Sequence, residues 1–305
     1  MTVATIELLA PDGERCRCCR TVGDVFTVSQ KTFRTVVGTA LGSLSVIIFT
    51  GALVRLTGSG LGCADWPRCS TTKFIDVSTG HTLIEQANRL FTGVVSFSVI
   101  AAVLLAHFRK PLRRDLVLLA WGLVVGVLVQ IVIGGVVVLT GLNPYANMAH
   151  FLVSLLLVAN AFVLFRRSGK EPDTYFRTGP QRLVTAVRLV VGSSSIALVT
   201  GTVVTATGPH AGDENAVRLG FALTSVARVH SVSVLVTVAL IIFLAIRAKQ
   251  LQGDASVTDA IQALLFAAVF QGAIGYAQYF TGVPVALVAA HIVGATAFWF
   301  AVCNL

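Results

Sequence analysis

The sequence predicts an all-α integral membrane protein: eight transmembrane helices forming two pseudo-symmetric four-helix bundles. Three observations predict it. The 305-residue chain is 55% hydrophobic and only 12% charged, against about 25% charged in soluble proteins, and its mean hydropathy is +0.83. The apolar residues fall in long uncharged runs. Polar landmarks of the first half recur in the second. So few charges cannot cover two soluble domains of this length, and the same composition excludes a disordered chain, a collagen and a disulfide-dense secreted module.

A bilayer span needs about 20 largely apolar residues. Thr35–Val54 and Leu90–Phe108 each lack Asp, Glu, Lys and Arg. Leu116–Phe165 is likewise uncharged but too long for one span; Thr140, Gly141, Asn143 and Pro144 mark a turn that divides it. Leu189–Pro209 and Val229–Ile246 follow, and Ala260–Leu305 divides at Thr281, Gly282 and Pro284. Continuous rather than alternating apolar runs exclude a membrane β-barrel. The expected organisation is a cytoplasmic tail over 1–33, an N-terminal half over 34–166, a cytoplasmic linker over 167–182 and a C-terminal half over 183–305.

Lys and Arg in short loops set orientation. One side carries Arg15, Arg17, Arg20, Lys31 and Arg34, then Arg109, Lys110, Arg113 and Arg114, then Arg166, Arg167, Lys170, Arg177 and Arg182, then Arg247 and Lys249. The other carries Arg55, Arg68, Lys73 and Arg218. Both termini are therefore expected in the cytoplasm of a multi-pass plasma-membrane protein. The net charge of +9 is explained by this bias without a nucleic-acid partner. The first 30 residues lack the apolar core of a cleavable signal peptide.

Cys16, Cys18 and Cys19 lie in the tail with no nearby His, a poor zinc site. Cys63 and Cys69 fall in the first outer loop, where disulfides persist, and Trp66–Pro67 between them can turn the chain back. A bridge would stabilise this loop by roughly 2 kcal/mol; two unpaired thiols near the headgroups are the alternative.

The chain reads as an internal duplication. Gln130, Gly134, Thr140, Gly141 and His150 recur as Gln271, Gly275, Thr281, Gly282 and His291, each 141 residues later. Gly51, Val54, Thr57 and Gly58 recur as Gly201, Val204, Thr207 and Gly208, each 150 residues later. Four spans per half make this a parallel repeat about an axis along the membrane normal.

Ionisable side chains inside spans usually mark function, and here they form a layer near the outer surface. Glu85, Asn88 and Arg89 open the second span, His150 the fourth, Arg228 and His230 the sixth, and His291 the eighth. The repeat aligns His150 with His291 and Asn88 with His230. Paired inward imidazoles at one height suit axial ligation of haem iron between facing helices, and Gly134, Gly135, Gly272 and Gly275 allow close approach of a macrocycle or a helix. A lone membrane histidine is more often a hydrogen-bonded packing residue; the pairing argues against that for His230 and His291. The N-terminal half offers only His150, because an Asn is a poor iron ligand. Glu85 lies one turn from Asn88 on the same face, four residues before Arg89, with which it can pair. One site is then saturated, suiting electron transfer; the other keeps an open position and a carboxylate, suiting chemistry. Mutual neutralisation of Glu85 and Arg89 is the plain alternative. His81, His107 and His210 read as loop or interfacial residues.

These residues carry a resemblance. Arg55-Leu-Thr-Gly-Ser-Gly-Leu-Gly-Cys-Ala-Asp-Trp-Pro-Arg-Cys69 resembles the first outer loop of the haem A synthase family, and Glu85-Gln-Ala-Asn88-Arg89 resembles its Glu-x-x-His-Arg motif. His150, His230 and His291 match its other haem-associated histidines, and the resemblance covers about residues 34–305. It implies oxidation of the C8 methyl group of haem O to a formyl group, through a hydroxylated intermediate, giving haem A. It further implies a haem b cofactor on His230 and His291, and substrate haem O on His150 with Asn88 and Arg89 beside it. Glu85 would be the catalytic carboxylate and Cys63–Cys69 an outer-loop disulfide. An enzyme that makes haem O and a second copy of this chain are candidate partners; the sequence specifies neither the electron donor nor the oligomeric state. Asn88 departs from the family's usual first His, which leaves a five-coordinate haem O on His150. The loop Gly208–Gly220 lacks the second Cys pair that some relatives carry. A dihaem electron-transfer cytochrome, a thiol–disulfide oxidoreductase using Cys63 and Cys69, and a transporter lined by Glu85 and Arg89 are the competing classes.

Overall fold

The structure, a computed structural model, describes residues 27–170, 180–251 and 255–305. Eight helices account for most of them: α1 (Gln30–Leu56), α2 (Gly80–Phe108), α3 (Arg114–Leu139), α4 (Pro144–Ser168), α5 (Gln181–Thr207), α6 (Leu223–Gln250), α7 (Ala255–Phe280) and α8 (Val285–Cys303). Each is long and apolar enough to cross a membrane. Among the described residues the only β contact is an isolated bridge between Val28 and Arg109. Cys16, Cys18, Cys19 and Arg177 lie outside the described residues.

Local chemistry sets the helix ends. The Ser29 hydroxyl accepts the Thr32 amide at 3.1 Å at the start of α1, and Thr79 and Thr82 cap α2 reciprocally. Asn143 Oδ1 accepts the amides of Tyr145 and Ala146, with Pro144 in the first turn of α4. The two sharp turns divide the long apolar runs where the sequence places them. After α3, Leu142 donates to the Val137 carbonyl at 2.8 Å and Gly141 to Val138; after α7, Val283 donates to Gln278 at 2.8 Å and Gly282 to Tyr279. Both are Schellman closures, with positive φ at Gly141 and Leu142 in one and at Gly282 and Val283 in the other. The duplication thus extends to individual backbone hydrogen bonds.

Several helices begin before their uncharged runs. α2 starts at Gly80 and α6 at Leu223, so Glu85, Arg89 and Arg228 lie inside their helices as the sequence predicts, and α5 starts at Gln181, ahead of Leu189. In α2 the early start carries Glu85 and Arg89 as an i,i+4 pair, so the charges are satisfied within the helix instead of ending it.

Helices α1 to α4 close into one four-helix ring, α1 against α2 and α4, and α3 against both its chain neighbours. Its core contains Phe33, Val37, Leu44, Val99, Leu123 and Leu164. Helices α5 to α8 form the second ring, around Val190, Ile241, Leu244, Leu264 and Trp299. The rings meet where α1 and α4 pack on α5 and α8. There Trp299 Nε1 donates to the Leu155 carbonyl at 3.0 Å, Phe162 stacks on Phe300, and Gly60 donates to the Gly212 carbonyl at 2.8 Å, joining the loops of the two halves. Phe97, Leu118, Phe266 and Phe280 point outward and are largely exposed, as a lipid-facing surface requires.

Candidate functional site

The sequence repeat becomes a repeat of side-chain environments. Gln130 Nε2 donates to the His150 carbonyl at 3.0 Å, and Gln271 Nε2 donates to the His291 carbonyl at 2.6 Å. One turn along each supporting helix is a glycine facing the imidazole: a Cβ on Gly134 would stand 3.5 Å from His150 Cε1, and one on Gly275 would stand 3.1 Å from His291 Cε1. Nδ1 of His150 and Nδ1 of His291 are both buried without a hydrogen-bond partner. A histidine held in an apolar core only for packing would satisfy that nitrogen. Three other histidines have a bonded ring nitrogen: His81 Nδ1 meets the Ser59 hydroxyl at 2.9 Å, His107 Nε2 accepts from Trp121 Nε1 at 3.1 Å, and His210 Nε2 meets the Val283 carbonyl at 2.8 Å. Their reading as loop or interfacial residues agrees with these bonds.

His230 lies in the same half as His291, near enough for the two rings to interact electrostatically. Its Nδ1 lies 3.1 Å from the Thr200 hydroxyl, and a Cβ on Gly201 would stand 3.1 Å from its Cε1. In the N-terminal half, the Thr50 hydroxyl donates to Asn88 Oδ1 at 2.7 Å. Thr50 is 150 residues before Thr200 and Asn88 is 142 before His230, so both members of the pair are retained by the duplication and only the ring has been exchanged for an amide. A Cβ on Gly51, the counterpart of Gly201, would meet nothing within 4 Å. Three imidazoles, two with unspent buried nitrogens and each backed by a glycine, fit a flat iron macrocycle held axially between helices.

Glu85 and Arg89 are built into the outer loop. Glu85 is 4% exposed. Its Oε2 accepts the Cys63 amide at 2.7 Å, and its Oε1 accepts Arg89 Nε at 3.0 Å and Nη2 at 2.6 Å. Arg89 continues to the carbonyls of Cys63, Asp65 and Arg68 at 2.9–3.1 Å. Cys63 and Cys69 are joined by a disulfide. The carboxylate, the guanidinium and the disulfide thus make one latch. Gly62 is needed within it, since a Cβ there would stand 2.5 Å from the His81 carbonyl oxygen.

The same loop sends Trp66 onto α3, where a Cβ on Gly135 would stand 3.0 Å from the indole. The repeat puts Tyr276 at the position of Gly135 in the second half, and its hydroxyl bonds Ser231 at 2.6 Å. The loop tryptophan therefore closes only the half that contains Glu85. Gly272, expected to admit close approach, has open space around it. Thr50, Thr200, Gly201 and Trp66 were not among the expected site residues. Extending the 150-residue repeat by one position from Gly51 and Gly201 reaches both threonines.

The chain is thus a duplicated eight-helix membrane protein with a layer of glycine-backed imidazoles. The model of the family described as cytochrome oxidase assembly protein, COX15-CtaA, matches residues 71–303. The chain belongs to that family. Curated relatives named heme A synthase include those of Listeria welshimeri, 36% identical over 124 residues, 40% of either chain, and of Geobacillus kaustophilus, 33% identical over 123 residues, 39% of this chain and 38% of that one. The matched segments span about two fifths of these relatives' length.

Proposed function

We propose that this protein is a haem A synthase, oxidising the C8 methyl of haem O through a hydroxymethyl to the formyl group of haem A. The observation that carries the reading is the inequality of two otherwise duplicated halves: Thr200 holds His230 in one, and at the equivalent place Thr50 holds Asn88 in the other, three residues after Glu85. Family membership and relatives named heme A synthase support it.

His230 and His291 would hold haem b, which when bound supplies one-electron transfer between an external donor and the substrate half. Gly201 and Gly275 keep the ring faces clear of side chains, and Thr200 orients His230. His150 would ligate substrate haem O, with Asn88 and Arg89 beside it. Glu85 accepts three hydrogen bonds, the pattern of a carboxylate rather than a carboxylic acid. It acts as a fixed negative charge near the reacting edge, and Arg89 positions it. Trp66 and the latched loop exclude water from that end. Lys and Arg placement supports a plasma-membrane protein with both termini cytoplasmic. A neighbouring enzyme that makes haem O, and a homo-oligomer, complete the proposed setting.

The test is conversion of supplied haem O by the purified protein, followed by extraction and chromatography. Haem A from the wild type and none from His150→Ala is expected. Haem b alone, with haem O neither bound nor changed, would favour an electron-transfer cytochrome instead.

A further inference from the structure

The duplication supplies an internal control for what Asn88 does. Two threonines at equivalent positions, each preceding a glycine, hold equivalent residues: Thr200 bonds His230, which packs on Gly201, and Thr50 bonds Asn88. Beside Gly201 a ring closes the space at 3.1 Å; beside Gly51 nothing lies within 4 Å. The repeat puts Asn88 where the other half has His230, and the shorter amide leaves the place of that ring unfilled beside Gly51. The Thr50 hydroxyl occupies Asn88 Oδ1, so the donor that Asn88 retains is Nδ2. By the repeat, Asn88 is to His150 what His230 is to His291, and an amide donor in that place has the chemistry of a binding site for a small exogenous iron ligand.

We propose that the N-terminal half carries a binding site for a diatomic ligand of the haem iron, in which Asn88 Nδ2 donates to the ligand and Thr50 is the positioning residue that aims it. This deepens the haem A synthase reading and rests on a haem being held by His150. The C-terminal half, closed by His230, has no such site.

The test uses the full-length protein loaded with its haems, reduced, with carbon monoxide as probe. Haem content is counted in the same sample. The wild type is expected to bind carbon monoxide at one haem per chain. Thr50→Val, which keeps the shape and removes the hydroxyl, is expected to raise the C–O stretching frequency and speed dissociation about tenfold, the effect of one lost hydrogen bond. Thr50→Ser should restore both. Asn88→His should abolish carbon monoxide binding and give a second low-spin haem while haem content stays unchanged. A protein that loads both haems but binds no carbon monoxide would overturn this inference alone. So would a Thr50→Val protein with wild-type stretch and dissociation. A chain holding no haem at His150 would overturn both this inference and the reading beneath it.

Discussion

Glu85 reaches out of its helix to accept the backbone amide of Cys63 at 2.7 Å, so a carboxylate on α2 and one end of the outer-loop disulfide are a single unit. Arg89 completes it by spanning Glu85 and three loop carbonyls. This relation joins stability and chemistry in one residue, and variants can separate them.

Glu85→Ala leaves a guanidinium that is only 19% exposed without its carboxylate. Breaking such a pair costs about 3 kcal/mol, the low end for buried ion pairs. The expected outcome is a loop more open to protease, retention of the haem on His230 and His291, and no haem A. Glu85→Gln keeps part of the hydrogen bonding and should protect the loop better while still stopping the reaction. Normal haem A output from a folded Glu85→Gln protein would remove Glu85 from the chemistry.

Cys63→Ser with Cys69→Ser should destabilise the outer loop by roughly 2 kcal/mol, as expected for a short closed loop. The backbone amide of residue 63 still donates to Glu85, so the C-terminal haem spectrum should be unchanged. Thermal unfolding in detergent and the visible spectrum of the same sample check the two halves of this statement.

Gly201→Val and Gly275→Val add side-chain atoms beyond a Cβ that already stands 3.1 Å from an imidazole carbon, tighter than most real contacts. Both rings must move, and loss of most of the low-spin haem signal is expected. Gly272→Ala is the control, since its Cβ would meet nothing within 4 Å; it should keep the full signal. Equal spectra from all three would show that the glycine backing is incidental.

The helical fold was legible because burial in a bilayer writes itself as uncharged length, and the turns at Gly141 and Gly282 were legible because only a few residues accept that backbone. The histidine layer was legible because the repeat displayed it twice. The pairing of Glu85 with Arg89 in the first turns of α2 was legible from their four-residue spacing; their bonds to the Cys63 amide and the loop carbonyls were not. Nor was Trp66 on Gly135, or Thr50 on Asn88, because these contacts join distant segments and depend on which faces the packing turns together. Asn88 was visible as an exception, but its hydroxyl partner was not.

The central claim is that two duplicated halves hold two different haems, one as cofactor and one as substrate. Its most direct test is the haem inventory of the purified protein, by acid extraction and chromatography, after expression with and without a source of haem O. The account predicts haem b alone without the supply, and haem b together with haem O or haem A with it, the haem b signal vanishing in His291→Ala. Haem b alone under both conditions, or no haem at all, would contradict it.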